Sequence, residues 1–179
     1  MRKILKILLF FIFYFANTCF SEEFKYILKD KCITELYNAA NFEIKDSDDI
    51  SVIRDSRGII IRFPIDNPAD EYDDISPKTH KNIVLIKNFL AKIKNLVIIE
   101  VHTDGAKKEL IRGLKNWEVS TVIANNIRET VIKSDNIQDK DRIFSVGYGE
   151  FLPLKNTPFN GGKFLNRVDI IVLCNISGE

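Results

Sequence analysis

The sequence predicts an α/β fold, a two-layer sandwich with helices packed on one face of a mixed sheet. Three observations support this prediction: short apolar runs typical of strands, two helical stripes of apolar residues between them, and a turn that joins the first two strands. Their order is a β-hairpin followed by α-β-α-β-β, which is a β-α-β-α-β core with an N-terminal hairpin and an added final strand. The 179 residues suffice for one such domain and a targeting segment.

The start of the chain, residues 1–21, has the layout of a secretory signal peptide. Three basic residues precede an unbroken apolar run of ten residues at 7–16, and small or polar residues follow. That run is short for a membrane span, so we expect cleavage after Ser21. Lipoprotein processing with an acylated Cys19 is the alternative, and a lipid there is the only membrane attachment expected, although the Asn and Thr before it fit a lipobox poorly.

Removal of the signal changes the net charge. The whole chain carries +1, and the signal contributes three basic groups and no acidic one, so residues 22–179 hold 23 basic and 25 acidic groups, a net charge of −2. A near-neutral exported domain lacks the basic surface that nucleic acid requires, so no nucleic-acid partner is expected.

Two cysteines, Cys32 and Cys174, remain after processing. Export permits a disulfide, but two cysteines are too few to define a framework, and their pairing stays open. Because Cys174 follows an apolar strand, a buried free thiol is the favoured interpretation.

The first elements follow from local patterns. Residues 22–49 are expected to form a tether or a short amphipathic helix, and residues 50–176 the domain itself. Strands at 50–54 and 58–63 flank a turn that contains Gly58 and form the hairpin. The acidic segment 66–74 is expected to be a solvated loop, with calcium binding as the alternative.

The remaining elements alternate between helices and strands. Ser76 and Pro77 suit the N-cap and first position of a helix. A second helix is expected to begin near Asn116. Apolar stripes define the buried faces of the two helices: Ile83, Ile86, Leu90 and Ile93 in the first, and Val119, Ile123, Ile127 and Val131 in the second. Core strands are predicted at 96–102, 142–146 and 168–174.

The stretch 96–104, LVIIEVHTD, is the strongest candidate for a functional site. It is typical of a strand buried on both faces, and it delivers His102, Thr103 and Asp104 at its carboxyl end. The second histidine of the chain, His80, lies far away in sequence, so no zinc-like spacing exists. No Ser or Cys stands in a triad pattern with a His and an acid, so we do not expect an enzyme. We also expect no metal and no cofactor.

Four blocks together resemble the OmpA-like peptidoglycan-associated domain found in OmpA, Pal and MotB. They are His-Thr-Asp at 102–104, Asn-Trp-Glu-Val-Ser at 116–120, Gly-Tyr-Gly-Glu at 147–150 with Pro153, and Asn-Arg-Val-Asp-Ile at 166–170. The resemblance extends over residues 50–173. It implies a cell-envelope protein, periplasmic and associated with the cell wall or outer membrane, that binds peptidoglycan noncovalently and has envelope proteins as further candidate partners.

The resemblance also implies how the ligand is bound. In this family an Asp and an Arg clamp the zwitterionic end of meso-diaminopimelate in the stem peptide, because an ammonium needs a carboxylate and a carboxylate needs a guanidinium. Asp104 matches the family Asp, and Asn116 and Ser120 match the helix motif. The Arg position falls on Ile123, which cannot receive a carboxylate. Arg167 aligns with either Arg of the closing Asn-Arg-Arg-Val motif.

Two interpretations of Ile123 follow. In the first, the domain keeps the fold as a protein-interaction module and has lost peptidoglycan binding. In the second, the ligand has changed to a stem peptide with lysine or ornithine, whose ammonium needs Asp104 alone and whose alkyl stem suits Ile123. Arg112 or Arg167 is a candidate replacement for the missing guanidinium. A glycan hydrolase that uses Asp104 and Glu150 is the least favoured alternative.

Three side chains near the motif have structural interpretations. His102 is expected to hold a backbone group or the loop of Asp104. Thr103 is expected either to cap the strand end or to contact the ligand. Trp117 is expected to pack at the core or its rim, with stacking on a glycan as the alternative. The backbone of residues 147–150 is expected to form a tight turn around Gly149.

Overall fold

A computed structural model describes residues 25–45, 47–103, 113–151 and 166–174. The elements in chain order are α1 (25–43), β1 (Ser51–Asp55), β2 (Gly58–Pro64), α2 (Pro68–Asp73), α3 (Pro77–Leu90), β3 (Val97–His102), α4 (Asn116–Ile132), β4 (Ile143–Gly149) and β5 (Arg167–Leu173). The expected signal peptide, Cys19, Asp104, Arg112 and Pro153 lie outside the described residues. Among the described residues no helix has the length and apolarity to cross a bilayer.

The five strands form one mixed sheet in the order β1-β2-β5-β3-β4. Three neighbouring pairs are antiparallel, and β3 pairs with β4 in parallel. The final strand β5 therefore lies at the centre, between the hairpin and the β3–β4 pair. The parallel pair places the carboxyl ends of β3 and β4 side by side at one edge of the sheet. This arrangement confirms the predicted α/β fold and its mixed sheet.

One face of the sheet packs against the helices. Alternate residues of the central strands point into this core, as the two-residue period of a strand requires. They are Ile59, Ile61 and Phe63 of β2, Val97, Ile99 and Val101 of β3, and Val168, Ile170 and Val172 of β5. Seven of the eight residues of the predicted stripes are confirmed as buried in this core: Ile83, Ile86, Leu90, Val119, Ile123, Ile127 and Val131. The eighth, Ile93, lies beyond the end of α3 and is only partly buried. Ser76 caps α3 by accepting a hydrogen bond from the Thr79 N–H.

The helix α1 belongs to this core. Leu36, Ala40 and Ile44, at four-residue spacing, are buried in it. A disulfide joins Cys32 of α1 to Cys174 just after β5, with a Cα–Cα distance of 6.0 Å that lies in the usual range. The interpretation of Cys174 as a free thiol is therefore wrong. The reason is topological: the central position of β5 brings the two cysteines together across 142 residues, and this position is not visible in the sequence.

The acidic segment is not a loop, and this prediction is also wrong. Asn67 caps the short helix α2 by accepting a hydrogen bond from the Ala69 N–H. Within α2, Glu71 is only 2% exposed. Its carboxylate accepts hydrogen bonds from the Ser76 N–H at 3.0 Å, the Ser76 hydroxyl at 2.5 Å and the Thr79 hydroxyl at 2.6 Å. Glu71 thus fastens α2 to the first turn of α3, which explains why one acid of this segment is buried.

The glycines at 147 and 149 lie at the end of β4, and the predicted tight turn around Gly149 is present, since the Phe151 N–H donates a hydrogen bond to the Tyr148 carbonyl at 3.1 Å. Gly149 closes β4 and has a φ of +54°, a conformation that glycine adopts without cost. A Cβ added to Gly147 would lie 2.2 Å from the Thr121 nitrogen of α4. The backbones of β4 and α4 are therefore in direct contact, and this contact places the N-terminal turn of α4 at the carboxyl end of the sheet.

Candidate functional site

Thr103, Asn116 and Ser120 meet where β3 and β4 end beside the first turn of α4. The Thr103 N–H donates a hydrogen bond to the Gly149 carbonyl at 3.0 Å, and the Thr103 hydroxyl donates to the Asn116 carbonyl at 3.4 Å. The Gly149 N–H donates to the Ser120 hydroxyl at 2.9 Å, which in turn donates to the Trp117 carbonyl at 3.0 Å. These bonds fix the end of β3 against both α4 and β4. Sequence spacing alone did not show that the blocks meet through backbone groups.

The roles of these residues differ. Thr103 and Ser120 are buried, so their hydroxyls hold the framework of the site. Asn116 is half-buried at the first position of α4. Asp104, the expected ammonium receptor, directly follows Thr103 but lies outside the described residues, as does Arg112. The described residues thus form the hydrogen-bonded framework that directly precedes Asp104 in the chain.

Ile123 lies in the core and offers no surface to a ligand. Its side chain is fully buried on the face of α4 that packs against the sheet. This burial favours the interpretation in which Ile123 simply extends the apolar face of its helix. A contact between Ile123 and the alkyl stem of a ligand has no support in this geometry.

Arg167 belongs to a buried ionic cluster on the sheet face opposite the core helices. We define this cluster as Arg62, Glu100, His102, Arg167 and Asp169, which come from β2, β3 and β5. In the sheet register Glu100 lies opposite Asp169, and His102 lies opposite Arg167. Asp169 accepts a bidentate pair of hydrogen bonds from Arg62, at 2.6 and 2.8 Å, and another from Arg167 Nε at 3.1 Å. The Nε atom of Arg167 thus binds a carboxylate of its own strand, and the Arg167 side chain is only 4% exposed.

Burial and charge act in opposite directions on this cluster. Burial alone would raise the pKa of Asp169, but the hydrogen bonds and charge of Arg62, with a smaller contribution from Arg167, hold this pKa below its ordinary value. Burial lowers the pKa of the Arg167 guanidinium, and the charge of Asp169 opposes that shift. The cluster is an ion-pair network, in which each charge compensates for the removal of another from water.

His102 lies beside the two carboxylates of the ionic cluster. Its Nε2 atom lies 3.7 Å from a carboxylate oxygen of Glu100 and 3.7 Å from one of Asp169. Its ring stacks on Tyr148 with a centroid distance of 5.3 Å and an interplanar angle of 8°. Neither ring nitrogen has a hydrogen-bond partner within the described part of the chain. His102 therefore occupies the network behind the site, and its side chain is only 3% exposed.

The same three side chains have donor atoms that suit a cation. One ligand atom each of Glu100, His102 and Asp169 lies within 4.8 Å of the others. However, the oxygens of Asp169 already accept three hydrogen bonds from guanidinium groups. Two positive charges in direct contact with Asp169 oppose a third, and so we assign no metal to the ionic cluster.

Sequence reasoning missed Arg62, Glu100 and Asp169. A signal for two of them was present: Glu100 stands two residues before His102, and Asp169 two residues after Arg167, so each pair shares a strand face. The third, Arg62, becomes a partner only because β2 lies next to β5. That neighbour relation could not be derived from local patterns.

A cavity of about 440 Å³ lies elsewhere, between α3 and the end of α4. Its lining includes His80, Lys87 and Lys133. None of the residues predicted for the site lines it, so the cavity is separate from the framework around Thr103.

The fold of this chain is similar to that of several solved structures, although no sequence comparison found a match. A scan of protein-family models and a search of curated protein sequences found no match. Among solved structures, a putative MotB-like protein from Desulfovibrio vulgaris superposes with a TM-score of 0.64 at 18% identity, covering 82% of this chain and 99% of that one. The cell wall anchor of the T6SS from Pseudomonas aeruginosa gives 0.61 at 17% identity, covering 78% and 97%. An outer membrane protein from Borrelia burgdorferi B31 gives 0.52 at 29% identity, covering 70% and 97%.

Proposed function

We propose that this chain, which has the fold of the OmpA-like peptidoglycan-associated domains, is an exported cell-envelope protein that binds peptidoglycan noncovalently. The observation that carries the proposal is the junction of Thr103, Asn116 and Gly149, where the motif blocks of the family meet at one edge of the sheet. The similarity to a cell wall anchor and to a MotB-like protein supports a location in the periplasm, at the cell wall or outer membrane. The proposal requires binding and no catalysis.

Within this proposal Asp104 receives the ammonium of the third residue of the stem peptide. It follows Thr103, which is fixed by hydrogen bonds to Gly149 and Asn116. No guanidinium stands at the position of Ile123, and Arg167 is bound to Asp169. We therefore propose a diamino acid that ends in an ammonium alone, lysine or ornithine, over meso-diaminopimelate, whose carboxylate would lose water without gaining a partner at Ile123 or Arg167, the two candidate positions within the described residues.

Co-sedimentation with purified sacculi tests the first part. We expect Asp104→Asn to weaken binding about ten- to hundredfold, because a hydrogen bond to a charged group contributes about 1.5–3 kcal/mol. Asp135→Asn is the matched control, since Asp135 is an exposed acid beyond the end of α4. Equal binding of Asp104→Asn and wild type would remove Asp104 from the site.

Calorimetry with three stem peptides tests the second part. Peptides with lysine or ornithine are expected to bind, and the peptide with diaminopimelate to bind more weakly. Tighter binding of the diaminopimelate peptide would show that another guanidinium completes the clamp.

The burial of Ile123 also supports a second function, a protein-interaction module that has lost peptidoglycan binding. Failure of the wild-type protein to sediment with sacculi, together with negligible heats for all three peptides, would favour this function. A loss of turbidity of the sacculi would instead indicate a hydrolase that uses Asp104 and Glu150.

A further inference from the structure

Two large aromatic side chains remain exposed beside the site. Trp117 in the first turn of α4 is 47% exposed, and Phe151 just after β4 is 69% exposed. The sequence predicts packing of Trp117 at the core or its rim, and an indole that is about half exposed lies at the rim. Large exposed aromatic groups that adjoin a candidate site are a typical feature of binding surfaces.

The backbone brings these two aromatic residues to the same edge of the sheet. A Cβ added to Gly149 would lie 2.8 Å from the Trp117 nitrogen and 3.0 Å from its Cα atom. Phe151 follows Gly149 by two residues in a turn closed by its N–H and the Tyr148 carbonyl at 3.1 Å. The Cα atoms of Trp117 and Phe151 are therefore separated by roughly 12 Å at most, from the reach of two residues.

We infer that Trp117 and Phe151 form an aromatic platform that binds the glycan strand of peptidoglycan beside the stem-peptide site. This inference rests on the proposed function and adds the sugar backbone as a second part of the ligand. It assigns to α4 and β4 a recognition role that the charged clamp of the family does not include.

The chemistry of the ligand fits this platform. The sugars of the glycan are acetylated and have weakly polar C–H faces, which pack on aromatic rings, while the indole N–H of Trp117 remains available to a hydroxyl or acetamido oxygen.

The length of the stem peptide fits as well. Two amino acids separate its third residue from the sugar, and two extended residues span at least about 7 Å. Trp117 directly follows Asn116, whose carbonyl accepts the hydrogen bond of Thr103 at 3.4 Å. A ligand whose diamino acid lies next to Thr103 thus places its sugar within reach of the indole.

Binding to two separate fragments tests the inference. The first probe is soluble glycan strands from which the stem peptides have been removed, and the second is the free lysine stem peptide. We expect Trp117→Ala to weaken glycan binding about tenfold, equal to about 1.4 kcal/mol, and to leave peptide binding unchanged. Phe151→Ala is expected to have a smaller effect in the same direction, and Trp117→Phe to retain most of the affinity.

Phe144→Ala is the matched control, because Phe144 is 52% exposed near the opposite end of the same strand β4. Unchanged glycan binding in Trp117→Ala and Phe151→Ala, or an equal loss in Phe144→Ala, would overturn the platform. Absence of glycan binding by the wild-type protein would overturn it too, and peptide binding in the same experiment would show that the stem-peptide site still stands. Absence of both would remove the proposed function itself.

Discussion

The disulfide between Cys32 and Cys174 gives the sharpest prediction about stability. Cys32→Ser removes a cross-link that spans 142 residues of sequence. For a closed loop of that size, the chain-entropy relation gives a stabilisation of about 5 kcal/mol, and measured losses on removing a native disulfide are about 2–5 kcal/mol. We expect a loss near the middle of that range, because Leu36, Ala40 and Ile44 still pack α1 into the core.

Urea unfolding of the processed protein measures this loss. The wild-type protein in a reductant and Cys174→Ser in buffer should both match Cys32→Ser, since each lacks only the same cross-link. A free-thiol assay on the unfolded wild type should detect no thiol from this pair. Equal unfolding midpoints for oxidised and reduced wild type would refute the reasoning, because they would mean that the cross-link does not restrict the unfolded chain.

Three further substitutions, with Gly113→Ala as a control for one of them, test the ionic cluster and the packing of α4. Asp169→Asn should cost about 3 kcal/mol at neutral pH by leaving Arg62 without its partner, as urea unfolding would show. Folding lowers the pKa of Asp169 below 3.8, so the ionised carboxylate stabilises the folded state above that pH. This stabilisation disappears as the pH falls through the lowered pKa, and Asp169→Asn should therefore lose less stability than wild type on acidification. Gly147→Ala should cost about 3 kcal/mol because its Cβ meets the backbone of α4, whereas Gly113→Ala, with no atom within 4 Å, should cost only the backbone strain of about 1 kcal/mol. Ile123→Arg should destabilise the core by at least about 3 kcal/mol and should not create affinity for a diaminopimelate peptide in calorimetry; a stable variant with such affinity would contradict the placement of this residue.

The sequence predicted those parts of the fold that depend on local periodicity. The stripes of α3 and α4, the cap at Ser76 and the apolar strand before His102 all follow from the spacing of neighbouring residues. Contacts between distant strands were not predictable in this way. The position of β5 at the centre of the sheet decides both the partner of Cys174 and that of Asp169, and this position depends on the whole topology.

In the candidate site, too, the sequence predicted the residues but not their contacts. The motif blocks that contain Thr103, Asn116 and Ser120 come together in the structure at the ends of β3 and β4. Their actual contacts involve backbone groups, which no residue type reveals. The burial of Glu71 was missed for a related reason, since its partners Ser76 and Thr79 belong to the next helix.

The distribution of guanidinium groups near the site indicates what the site can select. A clamp for a zwitterion needs one free carboxylate and one free guanidinium. At the helix position of the clamp, Ile123 fills the core, and at the start of β5, Arg167 binds Asp169, which Arg62 also holds. A ligand carboxylate would have to displace a buried ion pair, at a cost of several kcal/mol, to reach Arg167. The proposed selection by Asp104 for an ammonium, and the proposed contact of the sugars with Trp117 and Phe151, require no such displacement. Under the proposed function, the preferred ligand therefore carries an ammonium and no carboxylate at the end of the third side chain of its stem peptide.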